Sequence, residues 1–145
     1  MFRFATPALV LVVFALLLAA TPAVATDYAF SSPLTHIDAP SATVTGTEVG
    51  DLALGAFSGP ISANIDPTTG VISNGMTTYE FDSGDTLSFT FEGQIFPDGT
   101  VTGTFTIVDG SGGLAGASGG GMFVGTTDGV TYDTDVEGTL TLPCA

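Results

Sequence analysis

From Thr86 to Gln94 the side chains change character at every step. Leu87, Phe89 and Phe91 fall on one side, and Ser88, Thr90 and Glu92 on the other. Alternation of period two marks a strand with one buried and one wet face. The same beat recurs along most of the chain. Ile61, Ala63 and Ile65 alternate with Ser62, Asn64 and Asp66, and Tyr79 and Phe81 with Thr78, Glu80 and Asp82. Val130, Tyr132 and Val136 alternate with Thr131, Asp133, Asp135 and Glu137, and Leu140 and Leu142 with Thr139 and Thr141. No helical period competes with this beat after residue 25.

Turn chemistry separates the runs. Asp66-Pro67-Thr68-Thr69-Gly70 combines a residue that fixes φ with one that accepts a positive φ. Asp82-Ser83-Gly84-Asp85, Pro97-Asp98-Gly99 and Asp128-Gly129 read as hairpin connections. Strands joined by such short links are antiparallel neighbours. About eight are expected, near 28–32, 42–49, 51–57, 60–66, 71–82, 85–96, 100–109 and 121–142. The last folds back at Asp128-Gly129 to make a ninth. An open sheet protects its edges with Lys, Pro or inward charges, and after residue 25 there is no Lys. A closed antiparallel up-and-down barrel has no edges to protect. The all-β class therefore points to such a barrel, with a β-sandwich as the alternative. Val44-Thr45-Gly46-Thr47, Val101-Thr102-Gly103-Thr104 and Val136-Glu137-Gly138-Thr139 echo one another, which suits a meander.

Residues 1–25 read as a signal peptide. Arg3 supplies the positive end, Ala8 to Ala20 is unbroken apolar sequence, and Ala23-Val24-Ala25 is an A-x-A cleavage site. A membrane span needs about 20 apolar residues, so cleavage is expected, with no membrane anchor afterwards. Residues 26–145 form the acidic domain, secreted or periplasmic. Cys144 is the lone cysteine, so no disulfide can form within the chain.

Arg3 is also the only Arg or Lys of the chain, whose formal net charge is −14. The domain that follows carries all the acidic residues and no basic side chain except His36. Nucleic acid is excluded as a partner, because binding it requires cations that displace phosphate counterions. A P-loop lacks its Lys, and adhesion to anionic lipid is disfavoured.

Two blocks carry a family resemblance: Gly84-Asp85-Thr86-Leu87-Ser88-Phe89-Thr90-Phe91-Glu92-Gly93, and the run from Gly103-Thr104-Phe105-Thr106-Ile107 through Gly110-Ser111-Gly112-Gly113-Leu114 to Gly119. They resemble small secreted bacterial proteins with an allene oxide cyclase-like barrel, and the Gly-rich arrangement is similar to that of plant dirigent proteins. Leu34-Thr35-His36-Ile37 and Gly138-Thr139-Leu140-Thr141-Leu142-Pro143 look like that group's opening and ending. The resemblance implies a barrel that handles a hydrophobic small molecule in its lumen. It would also place a basic residue where Gly113 stands, and dirigent-type cavities use basic groups that this chain lacks.

Catalytic motifs fare poorly. Gly110-Ser111-Gly112-Gly113-Leu114-Ala115 fits a dinucleotide fingerprint formally, but that motif needs a helix next. The following glycines oppose one. Gly116-Ala117-Ser118-Gly119-Gly120 matches G-x-S-x-G, which needs a strand-to-helix elbow and an activating base. His36 is the only candidate base, in what reads as a Pro-rich lead-in. Zinc and copper lack ligands. Calcium accepts carboxylates alone, and Asp133, Asp135 and Glu137 on one strand face are the weak candidates, against a simple solvated face. No other cofactor is expected. Tyr79, Phe89, Phe91, Phe105, Ile107 and Tyr132 are candidate lumen residues by alternation, and equally candidate core. The leading expectation is a non-enzymatic binding or cell-surface module for an apolar small molecule or partner. The alternative is a cyclase- or dirigent-like enzyme.

Overall fold

A computed structural model describes residues 25–143. The proposed signal segment, apart from Ala25, and Cys144 lie outside the described residues. Eight strands follow in order: β1 (Thr26–Asp38), β2 (Thr43–Glu48), β3 (Gly55–Ile65), β4 (Val71–Phe81), β5 (Thr86–Ile95), β6 (Thr100–Ser111), β7 (Ser118–Thr127) and β8 (Thr131–Leu142). Each pairs antiparallel with the next, and β8 returns to β1 from Thr26↔Leu142 to Asp38↔Thr131. The result is a closed up-and-down barrel, not a sandwich.

Two sequence expectations change. The runs near 51–57 and 60–66 merge in β3, so the described residues form eight strands and no ninth. Gly59-Pro60 does not break β3. Pro60 has no N–H to give, but its carbonyl accepts the Thr77 hydroxyl at 2.8 Å, and Ile61 resumes the ladder by donating to Ala42 at 3.0 Å. His36 lies in a strand, not a lead-in. β1 runs on past Pro33 through a bulge at which Leu34 takes φ 55°. Buried hydroxyls pin that bulge: Ser32 and Thr35 share a 2.7 Å hydrogen bond, and Thr35 donates to the Ser32 carbonyl. Further register shifts in β3–β4, β4–β5 and β5–β6 bend the ribbon.

Inward positions alternate between bulk and vacancy. Gly46 stands opposite Phe57, Gly75 opposite Phe91 and Gly103 opposite Phe123. A Cβ at any of the three would lie within 2.6 Å of the facing ring. Each bare glycine thus leaves room for an aromatic ring from the next strand. This accounts for the glycines of two of the three echoes, Gly46 and Gly103, whereas a Cβ at Gly138 would meet the Gly120 and Gly121 backbone. Val44, Val101 and Val136 are buried, and the glycine two residues on is the next inward position.

The barrel's two ends differ. At one, the segments 49–54, 82–85 and 112–117 fold over the core with Leu114 and Ala117 buried. The Gly-rich run here forms a single 3₁₀ turn, Gly112–Leu114, and no longer helix. Its return brings the Leu114 carbonyl within 2.2 Å of where a Gly110 Cβ would stand. Phe30, Tyr79, Phe81, Leu87, Phe89, Phe105, Ile107 and Leu140 fill the space beneath. At the other end the hairpins 39–42, 66–70, 96–99 and 128–130 surround an opening.

Candidate functional site

Beneath those four hairpins lies a cavity of about 320 Å³. Ile37, Ile61, Ile72, Phe91, Phe123 and Tyr132 form much of its apolar wall. It narrows to a neck of about 50 Å³ bounded by Tyr79, Phe89, Phe105 and Val136. The two share Ile37, Ile61, Phe91, Phe123 and Thr134. Pockets that enclose small molecules start near 300 Å³ and combine apolar walls with a few polar groups. A concavity of about 440 Å³ also occurs on the outer wall over the β4 bulge, but hydroxyls and Glu92 line much of it.

The structure distributes the six lumen candidates by depth. Phe89, Phe105 and Ile107 are buried in the packed core. Phe91 and Tyr132 are half-buried and line the mouth. Tyr79 stands between, 5% exposed, stacked on Phe57 with centroids 3.9 Å apart. No hydrogen bond to its hydroxyl forms among the described residues. Every fully enclosed side-chain polar atom there does have a partner, so the Tyr79 hydroxyl must touch the neck. Desolvation pushes its ionisation above the usual phenol range, and it stays a neutral donor at physiological pH.

Other candidates are not brought together. Ser118 opens β7, with no helix after it, and Ser111 bonds Thr86 at 2.7 Å. Both lie at the closed end. His36, near the mouth on the outer face, has its Nδ1 2.8 Å from Asp133 Oδ1. Asp135 accepts the Leu34 N–H at 3.0 Å. Among the described residues no three His, Cys, Asp or Glu gather closely enough to hold a metal, and Asp133, Asp135 and Glu137 are exposed. Where a basic residue was expected, Gly113 offers its backbone N–H to Asp85 at 3.1 Å.

Sequence reasoning missed Phe123 and Glu48. Phe123 is the lone aromatic of Gly-rich β7 and faces Gly103. Glu48 keeps the inward parity of Val44 and Gly46, and that parity was the available signal.

Three of the mouth hairpins are closed by a carboxylate. Asp66 accepts the N–H groups of Thr68 and Thr69, Asp98 that of Thr100, and Asp128 those of Thr131 and Val130. These bonds hold each carboxyl below its ordinary value of 3.8. A depressed folded pKa means the stabilisation is complete above the unfolded value and is lost as pH falls through the folded one. The amide shifts of Thr68, Thr100 and Thr131 should therefore titrate with midpoints below 3.8. NMR midpoints at or above that value would contradict these turn assignments.

Compared with known protein families, curated proteins and solved structures, the chain shows no significant match to any.

Proposed function

We propose that this chain is an exported barrel that binds a small apolar molecule in the mouth, with one acceptor atom of the ligand against Tyr79. The apolar run and A-x-A site at the N-terminus support export. The Tyr79 hydroxyl carries the binding reading. That hydroxyl has no hydrogen bond to the described residues and is not fully enclosed, so a ligand carbonyl or ether takes the place of water against it. The Gly-rich return between β6 and β7 and the eight-strand closure also support kinship with allene oxide cyclase-like barrels. Fold kinship does not carry an activity, and binding is the reading kept here.

The test uses 2-octanone, an apolar chain with one acceptor. Calorimetric titration should show saturable binding. Tyr79→Phe should weaken it about 2- to 10-fold, the worth of one hydrogen bond, while leaving thermal stability nearly unchanged. Absence of saturable heat with the wild-type protein would refute the pocket.

A further inference from the structure

Gly75, Gly93 and Gly103 stand in the walls of the open half, and none has the positive φ that favours glycine. Space demands them instead. A Cβ at Gly75 would lie 2.5 Å from the Phe91 ring, and its three nearest contacts would all be atoms of that ring. A Cβ at Gly103 would strike the Phe123 ring, whose tip also lies 3.1 Å from the Cβ position of Gly93. Both rings therefore recline against bare wall, Phe91 over β4 and Phe123 across β6 toward β5. They meet edge to face with centroids 6.0 Å apart. Both line the mouth and the neck, so they stand where about 320 Å³ of cavity tapers to about 50 Å³.

Resting on the pocket reading, we infer that these glycines set the bore between mouth and neck, and that the bore selects a tapered ligand. Its broad apolar body fills the mouth, and a slender, unbranched end enters the neck. The glycines are positioning residues that act through the rings. A ring pushed off the wall enters the passage that it lines. One methylene too many in an apolar pocket costs about 10- to 200-fold, so branching at the leading end is what the site reads.

Two ketones with the same ring and one acceptor differ only at that end. Cyclohexyl methyl ketone leads with a single methyl, whereas tert-butyl cyclohexyl ketone has no slender end in either direction. In calorimetric titration the wild type should bind the methyl ketone at least about tenfold more tightly. Gly75→Ala, whose new methyl meets the Phe91 ring first, should weaken the methyl ketone severalfold. Adding Phe91→Leu should restore most of that affinity, a rescue that a general loss of stability would not give. Should Gly75→Ala fail to fold, the ketone pair on the wild type decides. Unchanged affinity in Gly75→Ala, or a loss that Phe91→Leu does not restore, would overturn the part given to the glycine. Binding of the two ketones within about threefold of each other, less than one misfitting methylene costs, would overturn the taper and leave the pocket standing. No saturable binding of either ketone or of 2-octanone would overturn the pocket itself.

Discussion

Glu48→Ala should lower the folding stability of the domain by about 4 kcal/mol, a large share of the 5–15 kcal/mol typical of small domains. The side chain is 2% exposed and has no cation beside it. Its carboxylate is instead solvated by backbone. Oε2 accepts the N–H groups of Ser31 at 3.0 Å and Gly50 at 2.8 Å, and Oε1 accepts that of Leu54 at 2.9 Å. One side chain thereby ties β1 to both ends of the 49–54 segment. That segment also binds β1 directly, Val49 donating to Ser31 and Asp51 to Ala29. Truncation strands three donors, each worth about 1–3 kcal/mol if left bare, and water entering the hole recovers part of that. Glu48→Gln separates charge from shape. It preserves the packing, but sets an amide donor where an acceptor is needed, so about 2 kcal/mol should be lost. Urea unfolding of both variants provides the check. Losses under 1 kcal/mol in both would mean that Glu48 does not clasp the closed end.

The contrast between Glu48 and its neighbours shows what could be read from the chain. Barrel closure was legible because alternation, turn dipeptides and the absence of Lys all argued for it independently. Strand ends were less legible, because they depend on hydrogen bonds made elsewhere. Pro60 looks like a terminator locally, yet it is tolerated because Thr77 and Ile61 supply bonds on either side. Leu34 with positive φ continues β1 because buried hydroxyls stabilise the bulge. Glu48 was passed over because an inward carboxylate is acceptable only when backbone donors converge on it, and convergence is a property of the closed fold.

The site was legible to the same degree. Alternation places Tyr79, Phe89, Phe91, Phe105, Ile107 and Tyr132 on one side of the wall, but it is blind to depth. Depth follows from where the ribbon closes over and where it leaves room. At one end a Gly-rich return and Glu48 cap the barrel. At the other, short Asp-turn hairpins stop at the rim and leave none of the described residues across it. The acidic residues that look alike in the sequence therefore divide into wall, turn and clasp.

If the packed half is what keeps the open half in shape, Phe89→Ala should cost about 3–5 kcal/mol. Phe89 is 3% exposed and lies among Tyr79, Phe105 and Phe30, with ring centroids 4.4, 5.7 and 5.8 Å away. Phe105 and Phe30 are themselves 6.1 Å apart, so the rings brace one another and cannot all collapse into the space left behind. The hole would join the neck, and its lining would be aromatic and dry. Apolar cavities of this kind take up benzene. Benzene should therefore raise the melting temperature of Phe89→Ala by more than that of the wild type, whose neck holds only about 50 Å³. The gain follows mass action, reaching about 2.7 kcal/mol at a hundredfold excess over the dissociation constant. A Phe89→Ala protein as stable as the wild type would mean that this aromatic cluster is not the core. One that is destabilised but indifferent to benzene would mean that the barrel wall collapses inward, and the mouth would then owe its shape to the hairpins alone.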